Sequence, residues 1–190
     1  MSPSSEPAIE IRAPLTDEVV QSLHAGDRVR ISGAIYVARD AAHQRFLQAL
    51  RAGRPLPFDP RGQIVYYMGP SPARPGKPIG SCGPTTAGRM DPYVPAMLQA
   101  GLKGMLGKGN RSQAVREALQ QYRAVYFAAT GGVAALLARC VRSSQLVAYD
   151  DLGPEALLRL EVEGLPAIVA NDMYGEDAYQ SGRARYRRLP

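Results

Sequence analysis

The chain has 190 residues, 45% of them hydrophobic, and a net charge of +6; that is enough for one domain with a sizeable core and too apolar for disorder. Arg183, Arg185, Arg187 and Arg188 supply four of those charges, and taking them from the net +6 leaves +2, so the body of the chain is not a basic nucleic-acid binder. Two cysteines, Cys82 and Cys140, are too few for a disulfide scaffold, a structural zinc or an iron–sulfur cluster within this chain. No run approaches eighteen apolar residues, so no membrane-spanning helix is expected. Residues 1–13 read as a flexible leader. Met1-Ser2-Pro3-Ser4-Ser5-Glu6-Pro7 has no basic or apolar signal region, and a cytoplasmic location is expected.

Residues 15–27 form a linker with a short amphipathic piece. Alternation predicts strands over 28–32 and 34–38, with Gly33 as punctuation between them. Ala42, Phe46, Ala49 and Leu50 recur at helical spacing, and Gly53 closes that helix, which places Arg39 and Asp40 at its first turn. A Pro-rich loop spans 54–61, and a strand follows over 63–68. The long loop from Gly69 to Pro78 has no periodicity, a feature common in functional loops. Asp91-Pro92 suits the N-cap and N1 positions of a helix with Val94, Met97 and Leu98 on one face. Pro95 predicts a kink in its first turn. Residues 104–106 are short and apolar. Asn110 and Gln113 form a capping-box variant before a helix carrying Val115, Ala118, Leu119 and Tyr122. A strand over 124–129 leads to Thr130-Gly131-Gly132, which opens a helix with Val133, Leu136, Leu137 and Cys140 on one side, making Cys140 a buried filler. Further strands are expected over 145–149, 159–163 and 166–170, then an acidic turn at Asn171-Asp172. His24 and His43 share no ligand spacing, and each reads as a surface or satisfied core residue. No metal-ligating residue is expected in this chain. The basic end reads as a solvated tail or as a docking element for an acidic partner.

Strands alternate with helices through the middle, so the class is α/β. The most informative stretch is Gly80-Ser81-Cys82-Gly83-Pro84-Thr85-Thr86-Ala87-Gly88-Arg89-Met90-Asp91. Glycine lets backbone approach a ligand closely, and the two threonines either cap a helix or offer hydroxyls to a ligand. Arg89 suits a two-pronged grip on a carboxylate or phosphate. An ordinary strand-to-helix turn has the same punctuation. Lys108, flanked by glycines before a helix, occupies an anion position; Gly109 stands where a Walker loop requires Ser or Thr. Glycine-marked turns at 83, 107 and 131 each join a strand to a helix. In open α/β sheets such turns gather at one edge, which would bring Thr85, Arg89, Lys108 and Arg39 to one rim.

Gly83-Pro84-Thr85-Thr86-Ala87-Gly88-Arg89-Met90-Asp91 resembles the signature of class I fumarases, the iron–sulfur hydro-lyases. Ala38-Arg39-Asp40-Ala41-Ala42-His43, Gly107-Lys108-Gly109 and Thr130-Gly131-Gly132 match three further family blocks in the right order. The resemblance covers roughly residues 14–175 and is to the β subunit, equivalent to the C-terminal domain of single-chain versions. The L-tartrate dehydratase β subunit is similar, and the Ala87-Gly88 pair leans towards fumarase.

The resemblance implies a swivelling β/β/α domain over residues 14–178, followed by a basic tail at 179–190. It implies an α subunit that carries a [4Fe–4S] cluster on its own three cysteines, a dicarboxylate substrate, and β–β contacts in a heterotetramer, with no nucleic acid and no membrane. It implies Thr85 as catalytic base, Arg39, Arg89 and Lys108 as substrate-binding cations, and Thr86 and Gly131 as further substrate contacts. Cys82 is not a cluster ligand in this resemblance. Fumarate and malate are dianions, and cations at fixed angles suit their orientation. A non-catalytic anion- or nucleotide-binding module, or an interaction protein docking through the tail, are the competing readings.

Overall fold

The computed structural model describes residues 7–187. Within them lie seven strands, β1 (Ile9–Ala13), β2 (Arg28–Val37), β3 (Ile64–Tyr66), β4 (Gly104–Gly107), β5 (Val125–Ala128), β6 (Val141–Ala148) and β7 (Leu157–Asn171). The α-helices are α1 (Asp17–Ser22), α2 (Asp40–Arg51), α3 (Val94–Gln99), α4 (Gln113–Tyr122), α5 (Ala134–Ala138) and α6 (Ala178–Tyr186). β2, β3, β4 and β5 pair in parallel, in that order. β7 runs antiparallel to β5 on one side and to β2 on the other, closing the sheet into a barrel. β1 extends the sheet alongside β2, and β6 alongside β7.

Strand alternation divides the core in two. Ile31, Ile35, Tyr66, Leu106, Val125 and Phe127 belong to the cluster that fills the barrel. The intervening residues Val65, Tyr67, Met105 and Tyr126 belong to a second cluster with Phe46 of α2, Met97 of α3 and Leu119 of α4. Every residue of β3 and β4 is buried, as expected for parallel strands covered on both faces. Each fully buried large apolar side chain contributes ~1.5–3 kcal/mol relative to exposure. The mixed α/β class with a barrel core agrees with the expected β/β/α type.

Several local expectations change. Ile9–Ala13 is a strand and not part of a flexible leader; its partner is the first half of β2. Residues 1–6 of that leader, and Arg188 of the tail, lie outside the described residues. The linker at 15–27 contains α1, capped by the Thr16 hydroxyl, which accepts from the Val19 N–H. Residues 28–38 form one strand and not two: Gly33, at φ 96°, sits at a bulge that bends β2 without ending it. Strands expected at 159–163 and 166–170 are likewise one, with Gly164 at φ 62°. β6 begins at Val141, well before the expected start, because α5 stops at Ala138 and leaves Cys140 beyond it. α3 starts at Val94, after Asp91-Pro92, so Pro95 falls in its first turn, where a missing N–H costs no helix bond. Ser112 and not Asn110 caps α4, accepting from the Val115 N–H. The basic end is helical through Tyr186; Asp177 caps it, and Arg183 and Arg185 lie in its last turn, where cations favour the helix dipole.

Candidate active site

The carboxyl ends of the four parallel strands meet at one rim, and each leads into a loop that carries a candidate residue. β2 runs into Arg39 and the start of α2. β3 runs into Tyr67, whose carbonyl accepts the Thr85 N–H at 2.7 Å. β4 runs into Lys108, whose N–H donates to the Thr85 carbonyl at 3.1 Å and whose own carbonyl accepts the Ala87 N–H at 2.8 Å. β5 runs into Thr130 and Gly131. The threonine loop therefore lies as a short extended segment against the ends of β3 and β4. Its start is tied down by the Tyr66 hydroxyl, which donates to the Cys82 carbonyl, and by the Cys82 N–H, which donates to Ala134 at 3.1 Å. The close approach needs glycine at 107. A Cβ there would lie 3.1 Å from Tyr67 Cδ2 and 3.2 Å from both Ala87 Cβ and the Thr85 carbonyl.

Thr85 is partly buried, and its hydroxyl makes no hydrogen bond among the described residues. Thr86 is exposed at the N-cap of a 3-10 turn, Ala87–Met90, and its side chain makes no cap bond. Neither threonine is used as a cap. Lys108 is exposed, with no carboxylate partner among the described residues. Gly131 lies beside it: a Cβ on Gly131 would sit 3.8 Å from Lys108 Cδ. Lys108, Thr130, Gly131, Ile168 and Tyr179 line a cleft of about 460 Å³.

Arg39 and Arg89 converge on one carboxylate. Arg89 Nε donates to Asp40 Oδ1 at 2.9 Å, and Arg39 Nη2 lies 3.6 Å from Asp40 Oδ2 and 3.5 Å from Glu155 Oε1. Glu155 Oε2 also accepts the Ala41 N–H at 2.9 Å, capping α2 from the far end of the chain. The two arginines thus form one group, and Thr85, Thr86, Lys108 and Gly131 a second. The 3-10 turn links them, since the Arg89 N–H donates to the Thr86 carbonyl at 3.4 Å.

Beneath the rim, His43 is fully buried. Its Nδ1 lies 2.8 Å from the Arg39 carbonyl, and burial foremost pushes its pKa down to about 4, so the ring is neutral. A neutral ring must then donate through Nδ1. Asp40, Glu155 and His43 had no assigned place at the site in the sequence. Asp40 and His43 fall inside the Ala38–His43 block that carries the resemblance, without a role of their own, and Glu155 carries no local signal at all.

One group of potential metal ligands is present among the described residues, which the sequence did not predict. His24, Asp172 and Glu176 have ligand atoms within 4.8 Å of one another. Asp172 already braces the turn: its oxygens accept the N–H groups of Ala25, Tyr174 and Glu176 at 2.9, 2.9 and 3.0 Å. These oxygen and nitrogen donors do not suit an iron–sulfur cluster, which takes thiolates. The thiols do not suit one either. Cys82 is buried and its pKa is pushed up to about 12 by burial, and Cys140 is raised for the same reason.

The family model described as Fumarase C-terminus matches residues 2–182. The chain belongs to this family. Fumarate hydratase 1, mitochondrial, of Leishmania major is 43% identical over 168 residues, which are 86% of this chain and 31% of that protein. The anaerobic class I fumarate hydratase of Escherichia coli is 41% identical over 179 residues, 93% of this chain and 32% of the other. A putative L(+)-tartrate dehydratase subunit beta of Methanocaldococcus jannaschii is 37% identical over 172 residues, 87% of this chain and 88% of that subunit. The chain spans about a third of the length of the fumarate hydratases it matches. Among its described residues no helix is long and apolar enough to cross a membrane.

Proposed function

We propose that this chain is the β subunit of a class I fumarate hydratase, converting fumarate reversibly to (S)-malate together with an α subunit. The observation that carries this reading is the rim itself, where Arg39, Arg89 and Lys108 stand with Thr85 at the ends of four parallel strands. A dicarboxylate needs two cationic anchorages, and the rim offers the Arg39–Arg89 pair and the separate Lys108. Fixing both ends of the substrate orients the carbon beside a carboxylate towards the Thr85 hydroxyl.

In the dehydration direction Thr85 Oγ1, as the alkoxide, takes the proton from carbon and becomes the hydroxyl; in hydration that hydroxyl returns the proton to carbon and is left as the alkoxide. A threonine hydroxyl is a weak base until its own proton is drawn away, and nearby cations favour the anionic form. Proton removal builds negative charge on the adjacent carboxylate, where preorganised guanidinium and ammonium groups stabilise it. Thr86 and Gly131 complete the substrate contacts. The [4Fe–4S] cluster belongs to the α subunit, because neither thiol of this chain suits it. The assembly is a heterotetramer with β–β contacts.

A second reading, tartrate dehydration, is favoured by the near full-length match to a tartrate dehydratase β subunit. Anaerobic co-expression with the α partner decides between them. Fumarate hydration should exceed tartrate dehydration by at least about tenfold in kcat/KM, or ~1.4 kcal/mol of transition-state stabilisation. The reverse ratio assigns tartrate, and turnover of neither removes the hydro-lyase reading. The isolated chain, purified anaerobically with iron and sulfide, should show neither turnover nor stoichiometric cluster absorbance.

A further inference from the structure

Arg111 is the most buried cation among the described residues, with a side-chain exposure of 0% against 14% for its partner Asp91. Its Nη2 lies 2.9 Å from Asp91 Oδ1, without the alignment of a hydrogen bond. Its Cζ sits 5.4 Å from the Tyr67 ring centroid and 5.0 Å from that of Tyr126. The guanidinium is therefore held by two ring faces and one charge, an arrangement that gains strength when desolvated.

Each group it touches supports a different part of the rim. The Tyr67 carbonyl receives the Thr85 N–H. The Tyr126 hydroxyl donates to the carbonyl of Gly109, the residue after Lys108, at 2.9 Å. Asp91 ends the turn that carries Arg89, and its Oδ2 accepts the Ser112 N–H at 2.7 Å. The Arg111 charge also adds to the burial that keeps His43 neutral beneath the Arg39 carbonyl.

We propose that Arg111 is a positioning residue: through Tyr67, Tyr126 and Asp91 it holds the threonine loop and the lysine loop in one fixed relation. This rests on the hydro-lyase reading above for its catalytic consequence, while the geometric claim stands apart from it. Replacing a buried ion pair with apolar residues of similar volume preserves folding in many proteins, which separates positioning from simple charge balance.

The test uses the 190-residue chain as wild type, Arg111→Met/Asp91→Leu and Arg111→Lys, the last keeping the charge without the planar group. Amide hydrogen exchange is read at Ala87 and Lys108, the donors that tie the two loops together, and at Thr85, which ties the threonine loop to Tyr67, with Val169 of β7 as reference. Both variants should exchange at least about tenfold faster at the three loop amides, with Val169 unchanged. If the double variant does not fold, Arg111→Lys decides. In the reconstituted complex kcat should fall by ~10–100-fold with KM nearly kept, the scale of a small misplacement of catalytic groups. Wild-type exchange at the loop amides, or wild-type kcat in an active complex, overturns the proposal. Should the wild-type complex turn over neither fumarate nor tartrate, the functional reading fails and the exchange result still decides the positioning role.

Discussion

Thr85→Val separates chemistry from architecture at the rim. The main chain of Thr85 is pinned on both sides, by the Tyr67 carbonyl at 2.7 Å and the Lys108 N–H at 3.1 Å, and valine leaves both bonds in place. The hydroxyl has no partner among the described residues, so its removal strands no donor or acceptor. Stability should therefore stay within about 0.5 kcal/mol of wild type. A general base typically contributes ~10²–10⁴-fold, which is about 3–5 kcal/mol on the barrier. The expected result is a fall of that size in kcat with malate binding largely kept, and partial recovery in Thr85→Ser. The assay follows fumarate absorbance in reconstituted enzyme with matched cluster content, alongside urea melts of each variant. A valine variant within about tenfold of the wild-type kcat refutes the assignment, and Thr86 becomes the group to test.

Arg39→Ala, Arg89→Ala and Lys108→Ala should each cost roughly 1.5–3 kcal/mol in kcat/KM, the scale of charge-assisted hydrogen bonds; wild-type kinetics in all three would misplace the dianion site. Gly107→Ala forces a Cβ within 3.1–3.2 Å of Tyr67, Ala87 and Thr85 and should cost about 1–3 kcal/mol in a urea melt. Gly131→Ala meets Lys108 only at ordinary contact distance and should melt like wild type; equal midpoints for the two variants would contradict the close approach. His43, whose pKa falls from 6.5 to about 4 on folding, binds its proton more readily in the unfolded chain. Its contribution is complete above pH 6.5 and lost as pH falls towards 4, by roughly 3 kcal/mol in all. A urea midpoint of wild type that falls no faster than that of His43→Leu across this window would refute the buried neutral ring.

The rim was readable because its turns are written in local chemistry. Gly107 ends β4, Gly131 lies in the turn after β5, and the apolar spacing of Ala42 and Phe46 fixes α2 behind Arg39, so neighbouring residues carry the signal. The missing parts depend on residues far apart in sequence. β1 has charged side chains at Glu10 and Arg12 and becomes a strand through its register with β2. β7 contains Gly164 and Pro166, which read as a break. Opposite the bulged β2, Pro166 pairs with Arg30 and the strand continues. Arg111, close after the glycine–lysine–glycine run, carries no local sign of burial; Tyr67, just past β3, and Tyr126 of β5 pack their rings against it. Glu155 reaches α2 from the other end of the chain, a contact no local pattern announces.

The closed ring of β2, β3, β4, β5 and β7 has a consequence for how this unit travels between proteins. An open sheet would present an unpaired edge and need a neighbour to cover it. Here β7 pairs with both β2 and β5 and closes the ring, and the edges that remain among the described residues belong to β1 and β6, which lie outside it. Such a unit keeps its main-chain bonds whether it is joined to another domain or separate from it. That mechanical independence fits relatives in which the matching segment is about a third of a longer fumarate hydratase, and one in which it is nearly all of a separate subunit.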